Sequence, residues 1–283
     1  MVETLEFVTA PVCNVSLRAG EGALAVAHSG VRSVVTRARA ASPLRLLMPK
    51  NDGTAAWVYT STFGGGLVGG DCIDLDVDIG AGAACFLSTQ ASTKVYRSRS
   101  GAESRVSARV APGGFLAIVP DPVVCFRASR FRQLQRVDLA GDAGLVFVDW
   151  VTSGRRAAGE RWAFHEYTTC LEVRVDGRLL VYDAVTLRAA DIDVGERMGR
   201  FDVLALVVMM GPRVREAAKE LVERNGASPL GRRADRITSA AVVGDGCVLR
   251  VAGVSVEEIA HTVREWCACV PRELGDDPWS RKW

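Results

Sequence analysis

Polar and apolar residues alternate along much of this chain with a period of two. Over 71–79, Ile73, Leu75, Val77 and Ile79 fall on one side and Asp74, Asp76 and Asp78 on the other. That spacing predicts a strand with one buried and one wet face. Over 103–110, Val106, Ala108 and Val110 oppose Arg105, Ser107 and Arg109 in the same way. Leu171, Val173 and Val175 alternate with Glu172, Arg174 and Asp176, and Asp176-Gly177 then predicts a tight hairpin turn into 179–185. Asp142-Ala143-Gly144 and Gly244-Asp245-Gly246 read as similar turns. Further strands are expected at 24–27, 31–38, 55–60, 83–89, 115–119, 134–139, 145–151, 161–168, 201–209, 237–243 and 247–252. Closely spaced turns between short strands predict a sandwich, barrel or β-solenoid.

The period changes to that of a helix twice in the last third. Over about 212–225, a proline in the first turn precedes a stripe of Val214, Ala217, Ala218, Leu221 and Val222, and Asn225-Gly226 ends it. Over about 255–269, Ser255 and Glu258 form a capping pattern ahead of Val256, Ile259, Val263 and Trp266. No low-complexity linker interrupts the chain. One mainly β domain spanning 1–283 is therefore expected, strand-rich over 1–210, with helices packed on it.

Composition narrows the class. The 283 residues are 48% hydrophobic and 24% charged, which excludes disordered and collagen-like chains. Thirty-five basic and 33 acidic residues leave a net charge of +2, without the clustered excess that nucleic-acid binding requires. The longest apolar run, 203–210, is far too short to span a bilayer. Residues 1–12 contain Glu3 and Glu6 and lack the pattern of a secretory leader. The eight cysteines, at 13, 72, 85, 125, 170, 247, 267 and 269, form no Cys-x-x-Cys pair, so buried reduced thiols in a cytoplasmic protein are expected.

Several groups could carry chemistry. Five glycines crowd 64–70, but no Gly-Lys-Ser/Thr and no helix follow, so close backbone packing explains them better than a phosphate cradle. Residues 88–97 offer hydroxyls, an amide, Lys94 and Arg97. Asp149 and Asp183 each follow an apolar run, either as solvated strand ends or as inward-turned polar groups. Glu160 could pair with Arg155 or Arg156. Asp74, Asp76 and Asp78 sit about 6.6 Å apart, too far for compact chelation. On one helix, Cys267 and Cys269 would diverge from His261 by about 120° and 80° in opposite senses. Three histidines and no Gly-x-Ser-x-Gly motif leave no hydrolytic triad.

Taken in order, four blocks are specific. They are Gly65-Gly66-Leu67-Val68-Gly69-Gly70-Asp71; 88–98, from Ser88 through Thr93 and Lys94 to Ser98; Pro120-Asp121-Pro122-Val123-Val124-Cys125-Phe126 with Phe131-Arg132-Gln133; and Asp149 with Gly154-Arg155 and Gly159-Glu160. Together they resemble the urease accessory protein UreD family, also called UreH, across nearly the whole chain. Cys125 departs from the proline often found there, and the closing 270–283 matches the family's Pro-Arg-x-Trp ending only loosely.

The resemblance implies a β-helix-like fold with two C-terminal helices and a scaffold role. Such proteins assemble with the helical protein UreF and the GTPase UreG on the urease apoprotein, and nickel(II) moves toward the urease active site. No tightly bound cofactor, nucleic acid or membrane is implied. Asp71, Asp149, Asp183 and, less directly, Glu160 become candidates for lining a transient nickel passage. Oxygen ligands that hold the ion weakly suit such a passage. Thr93 and Lys94 would line the passage or an interface, and Gly65, Gly66, Gly69 and Gly70 would allow tight packing at an interface. Two other readings are a UreD-like binding protein for another metalloenzyme and a β-solenoid enzyme acting on saccharide through paired acids such as Asp149 and Asp183.

Overall fold

The computed structural model describes residues 17–226 and 233–280. Cys13, the segment 1–12 with Glu3 and Glu6, and the final Arg281-Lys282-Trp283 lie outside the described residues. The protein is mainly β, 49% strand and 16% helix.

The first strands of the described residues are a hairpin of β1 (Glu21–Ser29) and β2 (Arg32–Ala40) in a first sheet, followed by β3 (Leu44–Leu47) and β4 (Ala56–Thr62) in a second. It then passes repeatedly between the two sheets. β5 (Cys72–Ile79) joins the first and β6 (Ala84–Thr89) the second, followed by the short β7 (Thr93–Val95). β8 (Ala102–Val110) returns to the first sheet and β9 (Phe115–Ile118) to the second, followed by the short β10 (Val123–Cys125). β11 (Arg130–Leu139) and β12 (Gly144–Thr152) repeat the exchange, and β13 (Glu166–Val175) and β14 (Arg178–Arg188) close the first sheet as a hairpin. After α1 (Val194–Met198), β15 (Val203–Met210), α2 (Arg215–Gly226), β16 (Arg236–Val243) and β17 (Gly246–Gly253) extend the second sheet. α3 (Val256–Trp266) and α4 (Val270–Leu274) complete the described chain.

Neighbours reached by these exchanges run parallel: β1, β5, β8, β11 and β13 in the first sheet, and β4, β6, β9 and β12 in the second. The two sheets differ in how they are covered, and the sequence pattern follows that difference. The first sheet buries one face, so β5 alternates with Ile73, Leu75, Val77 and Ile79 inward. The second is covered on both faces. Leu145 and Phe147 of β12 join the core between the sheets, while Val146 and Val148 pack in a second core with Val214 and Leu221 beside α2 and Ile259 and Val263 of α3. All nine residues of β12 are buried, which is why 145–148 and 203–210 are unbroken apolar runs.

The local signals are realised where they concern turns and caps. Asp176 and Gly177 both adopt positive φ, 47° and 77°, and turn β13 into β14. Ser255 caps α3 by accepting the Glu258 backbone N–H at 3.2 Å. Two expectations need correction, and four short elements were not anticipated. Strand 161–168 begins only at Glu166: Trp162 has φ 50°, and its indole donates to the Phe201 carbonyl, so it anchors a loop. The helix expected over 255–269 stops at Trp266, and Pro271 near the start of α4 begins a separate short helix. β3, β7 and β10 are too short to carry a period, and α1 rests on Asp193 accepting the Glu196 N–H at 2.9 Å.

Phe147 is wholly buried between the sheets. Phe147→Ala is expected to cost about 3–5 kcal/mol of unfolding free energy in a urea titration.

Candidate functional site

The inward face of the first sheet is apolar except in two adjacent rows. Ile73, Ser104, Gln133, Thr169 and Val185 are register partners across β5, β8, β11, β13 and β14. The next row runs Leu75, Val106, Gln135, Leu171 and Asp183. Opposite, the second sheet carries Asp149, Leu206, Arg250 and Ser239 in one row across β12, β15, β17 and β16. Polar positions of both sheets therefore meet inside the molecule.

Asp149 is the centre of this meeting. It is 6% exposed, and the inward alternative of its two sequence readings is the observed one. Gln133 Nε2 donates to its Oδ1 at 2.8 Å and Thr169 Oγ1 donates to its Oδ2 at 2.6 Å. Burial raises its carboxyl above the ordinary aspartate range, the two hydrogen bonds oppose that rise, and the charge of Asp183 adds to it. Asp183 lies 12% exposed at its side chain and is gripped by the Arg250 guanidinium, whose Nε sits 3.1 Å from Oδ2. This ion pair ties the edge strand β14 of the first sheet to β17 of the second.

Two cavities share Asp149 and Trp150 in their walls. The first, about 250 Å³, also touches Gly65, Thr93, Lys94 and Gln133, and its exposed rim includes Gly65, Gln90 and Lys94. The second, about 400 Å³, touches Tyr167, Thr169, Asp183 and Arg250, and its exposed rim includes Ile237, Ser239 and Arg250. The two rims lie on different parts of the surface, one beside the glycine block and one between β14 and β16. A third cavity, about 330 Å³, lies by α3 with Asp121, His261 and Trp150 in its wall.

The remaining candidates have local roles, and neither of the first two cavities has Asp71 or Glu160 in its wall. Asp71 Oδ2 accepts the Val68 N–H at 2.8 Å and closes the glycine-rich turn. Glu160 accepts from Arg155 Nε at 3.0 Å and from the Arg127 N–H at 3.1 Å, and Arg155 holds its carboxyl below the ordinary range. Arg155 also stacks 4.1 Å from the Phe126 ring centre. The glycine block lies directly on 94–98: Leu67 N donates to Lys94 O, Tyr96 N donates to Leu67 O, and a Cβ on Gly66 would stand 2.7 Å from that Lys94 oxygen. A Cβ on Gly69 would overlap Ser98 Oγ, whereas Gly65 and Gly70 have open space and positive φ.

Among the described residues, no three His, Cys, Asp or Glu side chains are grouped so as to hold a metal ion, His261 with Cys267 and Cys269 included. The described cysteines are free, and burial pushes Cys85 and Cys125 up to about 12, which keeps these thiols protonated at neutral pH. The walls of the first two cavities carry carboxylate, amide and hydroxyl side chains and contain no cysteine or histidine. Sequence reading missed Thr169, Trp150 and Arg250. Thr169 was detectable as a polar residue at an inward position of β13, but Arg250 meets Asp183 only through the packing of two sheets.

Fold and cavities define a class, a two-sheet β scaffold with a buried carboxylate at the junction of internal cavities. Comparison with known proteins gives the family: residues 18–283 match the UreD urease accessory protein family, to which this chain belongs. The Urease accessory protein UreD of Sorangium cellulosum (strain So ce56) is 50% identical over 267 residues, covering 94% of this chain and 85% of that protein. Its counterpart in Anaeromyxobacter sp. (strain Fw109-5) is 45% identical, covering 96% and 92%. The Urease accessory protein D of Arabidopsis thaliana is 32% identical, covering 92% and 99%. These relatives are accessory proteins by name, not enzymes, which supports a role in urease maturation. Among the described residues no helix is long and apolar enough to cross a membrane.

The raised Asp149 carboxyl has a signed consequence. As pH rises from about 4, the unfolded chain gives up this proton first, so the folded state loses stability until its own higher value is passed. Asp149→Asn keeps an acceptor for Gln133 and reverses the second bond, its amide nitrogen replacing Oδ2 and donating to Thr169 Oγ1. It is expected to match wild type near pH 4 and to exceed it at pH 7–8, by about 1.4 kcal/mol per unit of the rise. Urea titrations of both proteins across pH measure the difference.

Proposed function

We propose that this protein is a nickel-delivery scaffold for urease, acting in the cytoplasm in complex with UreF and UreG on the urease apoprotein. The observation that carries this reading is the placement of Asp149 in the walls of two cavities that reach the surface at different points. Nickel(II) is the cargo and no resident cofactor is involved. The ion enters one cavity, meets Asp149 between Gln133 and Thr169, and leaves through the cavity of Asp183. The repeated exchange of strands between two parallel-paired sheets supports a β-helix-like fold around this route.

The chemistry suits transfer better than storage. A borderline dication accepts carboxylate, amide and hydroxyl oxygens without the tight hold of thiolates. Nickel must compete with a proton on Asp149, so binding releases that proton and stays reversible. At Asp183 it must displace Arg250, which supplies a counter-charge when no metal is present. Asp71 and Glu160 serve the scaffold, shaping the glycine-rich turn and the Arg155–Phe126 stack. The paired-acid reading for saccharide chemistry loses its basis because Asp183 is engaged by Arg250 and the relatives are accessory proteins.

Co-expression with UreF, UreG and the urease subunits tests the proposal. Asp149→Asn and Asp183→Asn are expected to retain the complex in a pull-down while lowering urease activity and nickel content several-fold. Glu160→Gln is expected to lower the melting temperature instead, with activity per folded complex close to wild type. Full activation by both aspartate variants would overturn the passage.

A further inference from the structure

The second sheet is interrupted beside Asp149. β12 pairs with β9 as far as Phe147 and Ile118, and with β10 from Val151 and Val123 onward. Between those points 148–150 face 119–122, a stretch one residue longer, whose Pro120 and Pro122 have no N–H to give to a ladder. The ladder on the other side of 115–125 breaks at the same level. Its last pair is Leu87 with Ile118 and its next is Thr93 with Val123. Side chains bridge the break instead. Ser88 Oγ donates to the Val119 carbonyl at 2.6 Å, the Asp121 N–H donates to Thr89 Oγ1 at 2.8 Å, and the Trp150 indole donates to the Pro120 carbonyl at 2.9 Å.

Both sides of this break are hollow. The first cavity lies between the sheets and the third lies under α3, and Pro120, Asp121 and Trp150 stand in the walls of both. Trp150 is in the wall of the second cavity as well, and it is the one residue common to all three. Its ring belongs to the core beneath α3, with Val119, Val263 and Trp279. The third cavity reaches solvent at Glu257, His261 and Arg264.

An indole is suited to close such a break against an ion. Its edge is C–H surface, its one N–H is spent on Pro120, and a donor does not ligate a cation. A dication entering there would lose water without gaining oxygen ligands, which is costly. Without the ring, the carboxylate of Asp121 and then Glu257 and His261 would line a way out to solvent.

We propose that Trp150 seals the second sheet: its indole closes the break at 119–122 and keeps a divalent cation in the inter-sheet cavities from escaping through the third cavity beside α3. The proposal rests on the nickel-scaffold reading and adds the residue that confines the ion to its route.

The test uses the full chain in complex with UreF, UreG and the urease apoprotein of the same organism. The complex is charged with nickel(II), freed of unbound ion by gel filtration and started with GTP, with and without excess EDTA. The readout is the ratio of urease activation with EDTA to activation without it. A variant that merely folds or assembles less lowers both and leaves the ratio in place. Wild type is expected to keep most of its activation in EDTA, and Trp150→Leu to lower the ratio several-fold. Trp150→Phe, which keeps an aromatic plate and gives up the Pro120 bond, stays near wild type. Ala260→Trp on α3 fills the third cavity from its other wall and restores the ratio of Trp150→Leu. Trp150→Met is measured beside Trp150→Leu so that the result does not depend on one variant assembling. A wild-type ratio in both of these variants, or a wild type as sensitive to EDTA as they are, overturns the seal while the scaffold reading stands. A low ratio that Ala260→Trp does not raise also overturns it, because the ion then escapes elsewhere. If wild type activates no urease even without EDTA, the scaffold reading fails and the seal with it.

Discussion

The hydrogen bonds from Gln133 and Thr169 to Asp149 are what allow a carboxylate to sit between two packed sheets. An ionised group removed from water costs far more than one residue's packing can return unless its oxygens are occupied. Here both oxygens accept donors from the opposite sheet, on β11 and β13. That requirement fixes the relation of the sheets at this point, because Gln133 and Thr169 are register partners and must face β12 together. The polar rows also keep apolar side chains from filling the space between the sheets, and the cavities lie where those rows face each other.

The layering places this polar interior at a defined depth. β12 has apolar neighbours on both faces, so the sheet that carries Asp149 is itself a core element, covered by helices on its far side. A carboxylate on an alternating, half-wet strand such as β5 would reach water and act only as a surface charge. Asp74, Asp76 and Asp78 are that case, and Asp78 pairs with the exposed Arg109. The same residue type thus has opposite consequences in the two sheets, decided by what covers the second face.

The Asp183–Arg250 pair and the glycine block mark the two ends of this interior. The pair joins an edge strand of one sheet to the other sheet and brings a positive charge to one opening. The glycine block lays backbone on backbone beside the other opening, where a side chain at Gly66 or Gly69 would not fit. Both ends are therefore built from contacts between segments distant in sequence: β14 with β17, and the turn before β5 with the segment around β7.

What the sequence determined by itself is local. Period-two patterning placed β5, β8 and β13, the unbroken apolar runs placed β12 and β15, Asp176-Gly177 set a hairpin, and Ser255 with Glu258 set a helix start. Each follows from side-chain geometry or backbone φ within a few residues. The ordered blocks from Gly65 to Glu160 also carried the family. Tertiary structure decided which face Asp149 presents, that Asp183 meets Arg250, and that Asp71 and Glu160 stand apart from the cavities. Those outcomes depend on strand register and on the packing of sheets, which join residues tens of positions apart, and no local period encodes them.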